Sequence, residues 1–152
     1  MKVLILGHKG MLGHMVLKYL KFINPYGEFI TIDKRWPSSS FKKTIKEFDG
    51  DFIINCIGAI HQRTNQFNIN WELPQWLDEN ANCNIIHPGT DCEIDNDDYG
   101  NSKRIAAEWI KSSGKNTKII KTSILGPEVN TKASLMEWFL SQTGTVNGYS
   151  EC

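Results

Sequence analysis

A short apolar run at the start of the sequence, KVLIL (2–6), leads directly into three evenly spaced glycines, GHKGMLG (7–13). A run of this length with no polar residue after Lys2 is typical of a strand buried on both faces of a sheet. A segment with helical periodicity, MLGHMVLKYLKFI (11–23), includes the last of these glycines. Strand, glycine turn and helix in this order predict the first unit of a parallel α/β fold.

The same alternation continues along the chain. Further strands are predicted at 28–33, 51–58, 82–87 and 117–125, and further helices at 38–48, 68–81, 99–114 and 132–142. We therefore expect a Rossmann-like, doubly wound parallel sheet with helices on both faces and the strand order 3-2-1-4-5. The 152 residues suffice for one such domain, which is predicted to cover 1–152.

Composition excludes several classes of protein. Lys+Arg and Asp+Glu are both 17, so no net charge attracts nucleic acid or an anionic membrane. No apolar run approaches the roughly 20 residues that cross a bilayer. The four cysteines form no C-x-x-C pair, and with no secretory signal they are expected to be reduced thiols of a cytoplasmic protein.

The glycines at 7, 10 and 13 predict a phosphate-binding turn. A phosphate reaches the backbone N–H groups at a helix start only where no Cβ blocks its approach, and the helix dipole favours its charge. Asp33 follows at the end of the second predicted strand, about 20 residues after Gly13, where a carboxylate can bind an adenosine ribose. The sequence therefore predicts an NAD(P)-binding domain.

Charges near Asp33 leave the choice of cofactor open. Asp33 favours NAD, because its carboxylate repels the ribose 2′-phosphate of NADP. The cations Lys9, Lys34 and Arg35 are able to offset that repulsion and admit NADP, although ordinary solvated charges fit them equally well.

Tyr99 and Lys103 are four residues apart at the start of a predicted helix, so their side chains share one face. A phenol has a pKa near 10 in water and exchanges protons poorly at neutral pH. A neighbouring ammonium and the helix N-terminus favour the phenolate, which makes the pair a candidate general acid–base unit.

Six stretches carry a resemblance to a known family: LILGHKGMLG (4–13), FIINCIGAIHQ (52–62), TDC (90–92), YGNSK (99–103), KTSILGPE (121–128) and LMEWFLSQTGTVNGY (135–149). In this order they resemble the extended short-chain dehydrogenase/reductases, and within them the dTDP-4-dehydrorhamnose reductase-like enzymes. The resemblance implies reduction of a 4-keto-6-deoxy nucleotide-sugar in dTDP-rhamnose or related polysaccharide biosynthesis, with NAD or NADP as cofactor.

The resemblance also implies residue roles. Tyr99 would protonate the ketone oxygen, Thr90 would hydrogen-bond it, and Lys103 would hold the nicotinamide ribose and lower the pKa of Tyr99. The implied cofactor contacts are Gly7, Lys9, Gly10, Met11, Leu12, Gly13, Asp33, Lys34, Asn55, Cys56, Ile57, Gly58, Tyr99 and Lys103. The helices that carry Trp71, Trp76 and Trp109 are those such reductases often use to form homodimers, although burial within the domain fits these tryptophans at least as well.

Two departures from the family leave a second hypothesis open. Only nine residues lead from Thr90 to Tyr99, so most of the loop that lies along the substrate in relatives is missing. The sequence stops at Cys152, before the C-terminal region that grips the nucleotide-sugar in relatives. The alternative is a dinucleotide-binding module without turnover, either a truncated remnant or a subunit that needs a partner.

A metal site is not expected. The acidic stretch DCEIDNDD (91–98) lacks the glycine and the final glutamate of a calcium loop, so a solvated loop is favoured. The four histidines show no zinc-ligand spacing with the cysteines.

Overall fold

The computed structural model describes residues 1–61, 63–113, 115–122 and 134–147. Strands and helices alternate through them, with one 3₁₀ turn before the fourth helix. The strands are β1 (Lys2–Leu6), β2 (Glu28–Thr31), β3 (Phe52–Asn55), β4 (Asn84–Gly89) and β5 (Thr117–Lys121). The helices are α1 (Met11–Ile23), α2 (Ser39–Lys46), α3 (Ile69–Asn80), α4 (Asp98–Ser113) and α5 (Leu135–Leu140), and the turn is Asp91–Ile94.

All five strands form one parallel sheet, which confirms the predicted fold class, but the predicted strand order is wrong. The order is β2-β1-β3-β4-β5 rather than 3-2-1-4-5. β1 pairs with β2 on one side, where Val3 is opposite Phe29, and with β3 on the other, where Val3 is opposite Phe52. The chain therefore reverses direction across the sheet after β2.

The apolar face of α2 explains this reversal. Phe41 and Ile45 are fully buried, and they belong to the same core cluster as Leu4 of β1 and Ile53 of β3. Because α2 packs over β1 and β3, it carries the chain back across β1 instead of outward beyond β2. With right-handed crossovers, α2, α3 and α4 cover one face of the sheet and α1 the other.

The reversal of direction across the sheet after β2 also determines where a ligand site is expected. In an open parallel sheet, ligands bind beyond the carboxyl ends of the strands where the strand order changes direction. Here that point lies between β1 and β3. The glycine loop follows β1 and the segment Asn55–Gly58 begins at the end of β3, so both lie at this edge of the sheet.

Some element boundaries differ from those predicted. β4 reaches Gly89, two residues beyond the predicted end, because Pro88 and Gly89 still pair with Ile120 and Lys121 of β5. The predicted fifth strand is described only over Thr117–Lys121. Gly114, 123–133 and 148–152 lie outside the described residues, and with them most of KTSILGPE (121–128) and the end of the last matching stretch.

The three tryptophans predicted to pair subunits are all half-buried within the domain. Trp76 packs against Trp36, with ring centroids 5.4 Å apart, and against Phe41 at 6.5 Å. These contacts give Trp76 a role inside one chain, and the homodimer stays a prediction. Within the described ranges, no helix has the length and apolar character that a membrane crossing requires.

Candidate active site

The glycine loop forms an open turn at the N-terminus of α1. Gly7 has φ of 74°, which favours glycine, and its carbonyl oxygen accepts a hydrogen bond from the N–H of Gly10 at 2.9 Å. A Cβ on Gly13 would lie 2.2 Å from that carbonyl oxygen, so only glycine lets the helix pass this close. No side chain caps α1 and its first turn has no acidic residue, which leaves the helix end suited to a phosphate.

Asp33 lies beside this loop, as predicted for a ribose ligand. Its carboxylate is 2.6 Å from Nζ of Lys9 and 3.7 Å from Nε2 of His8. The hydrogen bond from Lys9 lowers the pKa of Asp33, so the carboxylate is ionised at neutral pH. Lys34 instead donates to Thr44 of α2 at 2.5 Å, and it is therefore Lys9 that contacts Asp33.

Asp33→Ala should change the cofactor preference. Removing the carboxylate takes away both a ribose hydrogen-bond acceptor and the charge that repels a 2′-phosphate, and it breaks the ion pair with Lys9. We expect weaker NADH binding and NADPH binding that is tighter by about tenfold, measured by cofactor fluorescence titration. Asp49→Ala is the matched control, since Asp49 is also an exposed aspartate paired with a lysine, Lys2. Unchanged affinity for both cofactors in Asp33→Ala would remove Asp33 from the site.

Asn55 at the end of β3 lies behind the second wall of the crevice, which Cys56, Ile57 and Gly58 form. Its side chain is fully buried, accepts from the N–H of Ile57 at 3.1 Å and lies 3.2 Å from Nδ1 of His87 on β4. Burial lowers the pKa of His87 to about 3, so the imidazole is neutral. Burial also raises the pKa of the Cys56 thiol to about 12, which leaves this wall without charge.

Asn70 in α3 fixes the loop that follows β3, a role that was not predicted from the sequence. Its side chain accepts from the N–H of Ala59 at 2.7 Å and donates to the Ala59 carbonyl at 3.0 Å and to Oγ of Ser102 at 3.1 Å. Asn70 thereby ties the loop after β3 to α4. The available signal was an asparagine one turn before the apolar residues Leu73, Pro74 and Leu77 of the same helix.

The three candidate catalytic residues come together beside the glycine loop. Thr90, Tyr99 and Lys103 line one open cleft of about 290 Å³. Gly10, Met11, Leu12, Cys56, Ile57 and Gly58 line the same cleft, as do Thr122 and the start of α5. Most of the residues predicted for the cofactor and for the chemistry therefore share one crevice. The predicted cofactor residues that do not line it are Gly7, Lys9, Gly13, Asp33, Lys34 and Asn55.

Burial and the neighbouring polar groups set the state of the phenol. Burial raises the pKa of Tyr99, and this effect is larger than the lowering caused by the nearby Thr90 hydroxyl. The resemblance implies a lowered pKa caused by Lys103, and the structure shows the opposite direction. At neutral pH the phenol is consequently protonated, which is the form that donates a proton.

Lys103 is buried beneath the loop after β3. Its side chain reaches Gly58, where an added Cβ would lie 3.6 Å from Nζ. Burial lowers the pKa of Lys103, and the charge of buried Glu93 opposes this shift. The Lys103 ammonium therefore lies beside the wall that Cys56, Ile57 and Gly58 form.

Two capping hydrogen bonds shape the short segment between Thr90 and Tyr99. Oγ1 of Thr90 accepts from the N–H of Cys92 at 3.2 Å and begins the 3₁₀ turn. Asp97 accepts from the N–H of Gly100 at 2.6 Å and so caps α4. The acidic stretch thus folds into two local turns, and Tyr99 is held near Thr90 although the loop is short.

A larger groove of about 670 Å³ runs along α4 and β5. Its lining includes none of the three candidate catalytic residues and no residue of the glycine loop. The smaller cleft is therefore the candidate active site.

Comparison with known proteins identifies the fold. No family model and no curated protein matches the chain. Among solved structures, a dTDP-glucose 4,6-dehydratase from Bacillus anthracis in complex with NAD matches with a TM-score of 0.63 and 13% identity, covering 80% of this chain and 54% of that one. A short-chain dehydrogenase/reductase superfamily protein from Agrobacterium tumefaciens with bound NAD matches at 0.61 and 11%, covering 80% and 48%.

A third structure covers more of the sequence. The capsular polysaccharide assembling protein CapF from Staphylococcus aureus matches over 97% of this chain and 43% of its own, with a TM-score of 0.60 and 17% identity. The chain thus spans about half the length of the structures that it matches. At these identities the likeness shows a shared Rossmann-like fold.

Proposed function

We propose that the chain is an NAD(P)H-dependent reductase of a 4-keto-6-deoxy nucleotide-sugar, similar to dTDP-4-dehydrorhamnose reductase. The observation that carries this proposal is the meeting of Thr90, Tyr99 and Lys103 in one cleft with the glycine loop. Thr90 and Tyr99 have roles there, in orienting and protonating a ketone, that a plain dinucleotide-binding site does not need.

The cofactor has a fitting cradle. The uncapped N-terminus of α1 suits its pyrophosphate, and Asp33 suits its adenosine ribose. Lys103, beside Gly58 at the far end of the same cleft, would bind the nicotinamide ribose. When bound, the reduced nicotinamide supplies the hydride.

The protein supplies the proton. Ketone reduction adds a hydride to the carbonyl carbon and a proton to its oxygen, so the enzyme needs an acid beside that oxygen. Tyr99 is protonated because burial raises its pKa, and Thr90 lines the same cleft, so both hydroxyls can face one oxygen. Tyr99 would donate the proton, and Thr90 would orient the ketone.

The substrate class is proposed from two lines of support. The sequence resembles nucleotide-sugar reductases, and one matched structure is a dTDP-glucose 4,6-dehydratase. The alternative is a dinucleotide-binding module without turnover, since the open glycine turn and Asp33 suit cofactor binding alone as well.

Cofactor binding and hydride transfer, measured on the wild-type protein, distinguish the two proposed functions. We expect NADH or NADPH to bind in a fluorescence titration, and a pre-formed complex with NAD(P)H to lose its 340 nm absorbance when a dTDP-4-keto-6-deoxy sugar is added. Binding without hydride transfer to any keto-sugar would favour the module, and no binding of either cofactor would contradict both functions.

A further inference from the structure

His61, in the loop after β3, packs directly against the candidate acid. Its ring centroid is 5.4 Å from that of Tyr99 and 4.9 Å from that of buried Phe67. Phe67 in turn contacts Tyr99, with ring centroids 5.9 Å apart. The Tyr99 ring is therefore held on one side by two aromatic rings.

Asp97 fixes His61 in this place. One carboxylate oxygen lies 3.0 Å from Nε2 of His61, and the other accepts from the N–H of Gly100 at the start of α4. The same side chain thus caps the helix that carries Tyr99 and holds the ring that packs on Tyr99. The loop after β3 and the N-terminus of α4 are joined at this point.

We propose that His61, held by Asp97, is a positioning residue that keeps Tyr99 directed at the substrate oxygen. The proposal rests on the proposed reductase function. His61 is outside the lining of the cleft, whereas its neighbours Ile60 and Arg63 belong to that lining. His61 therefore acts through Tyr99, not on the substrate.

The exposure of the His61 and Asp97 side chains distinguishes a positioning role from a role in folding stability. The side chains of His61 and Asp97 are 48% and 49% exposed, and exposed ion pairs contribute little to folding. Loss of the pair should leave the thermal midpoint nearly unchanged while the Tyr99 ring gains freedom. Displacement of a reacting group by about 1 Å can cost roughly 100-fold in rate.

Two variants remove the contact in different ways. His61→Ala removes the ring, whereas Asp97→Ser removes the partner of His61 but keeps a residue that caps helices well. Lys43→Ala is the matched control, because it breaks an exposed ion pair with Glu47, the C-cap residue of α2, and neither residue lines the cleft.

The first measurement needs no turnover. In protein labelled with ¹³C at the tyrosine ring, the signal lost in Tyr99→Phe identifies Tyr99. Both His61→Ala and Asp97→Ser should move the Tyr99 signal. Because burial is the main cause of its raised pKa, His61→Ala should also lower its titration midpoint, whereas Asp97→Ser lowers the midpoint in any case by removing a charge that raises this pKa. Lys43→Ala should change neither.

The second measurement is the single-turnover oxidation of NAD(P)H. We expect a loss of roughly 10- to 100-fold in both variants, with unchanged cofactor affinity and no further loss in the double variant. An unmoved Tyr99 signal in both folded variants would overturn the proposal, and so would additive losses in the double variant. If the wild-type protein transfers no hydride, the proposed function fails, while the Tyr99 signal still decides whether His61 positions the ring.

Discussion

Tyr99→Phe is expected to slow hydride transfer by roughly 10²- to 10⁴-fold, because it removes only the hydroxyl that donates the proton. The ring stays, so its packing against His61 and Phe67 is retained. Cofactor affinity should barely change, since the glycine loop and Asp33 are untouched. Single-turnover absorbance at 340 nm with a 4-keto-6-deoxy nucleotide-sugar measures the rate, and fluorescence titration measures the affinity.

Tyr19→Phe serves as the matched control. Tyr19 is 61% exposed on α1 and lies outside the cleft, so its hydroxyl should not affect the rate. An equal rate in Tyr99→Phe and wild-type protein would show that another group donates the proton. In that case the contacts of Tyr99 with Thr90 and His61 would serve packing alone.

Gly10→Val is expected to weaken NADH and NADPH binding by about 100-fold or more while the domain stays folded. An added Cβ at this position would meet Gly7 O at 3.3 Å, a close contact that a small shift relieves. The valine side chain would occupy the space before the first turn of α1. A bound phosphate would need this space to accept hydrogen bonds from the backbone N–H groups of the helix start. Each hydrogen bond to a charged group contributes about 1.5–3 kcal/mol, and every 1.4 kcal/mol is a factor of ten in affinity.

Two other glycines give this test its controls. Gly144 has no atom within 4 Å of an added Cβ, so Gly144→Val should bind cofactor normally. Gly13→Val should unfold the loop, because its Cβ would lie 2.2 Å from Gly7 O. Circular dichroism distinguishes loss of fold from loss of binding, and normal cofactor affinity in a folded Gly10→Val would refute the phosphate site.

The sequence alone was sufficient for the order and type of the elements. Apolar runs such as KVLIL (2–6) and helical periodicity such as that of 11–23 are local patterns, and local patterns are set by neighbouring residues. The glycine loop was predictable for the same reason, because strand, turn and helix are contiguous. So was the shared helix face of Tyr99 and Lys103, which four-residue spacing fixes.

The strand order was not predictable from these patterns. The apolar positions of α2 show that one side is buried, but they do not show which strands lie beneath it. Only the packing of Phe41 and Ile45 on β1 and β3 decided that the chain returns across β1. The same alternation of strands and helices is compatible with either direction.

The ionisation of the site also needed the tertiary structure. The sequence-based expectation of a lowered Tyr99 pKa considered Lys103 and the helix end, whereas burial and nearby acidic groups raise it. The burial of Tyr99 depends on the loop after β3, which is distant from Tyr99 in the sequence. The neutral state of His87 depends likewise on enclosure between strands.

What the sequence by itself determined is therefore the set of elements, the glycine turn and the pairing of residues within one helix. Tertiary structure alone decided the contacts between segments far apart in the chain, such as Asn70 with Ser102 and His61 with Asp97. The physical reason is that a periodic pattern records which side of an element is buried, but not which residue it meets there. The packing environment of Tyr99 consists of such contacts. It can therefore be recognised only in the tertiary structure, where the sheet brings the loop after β3 against α4.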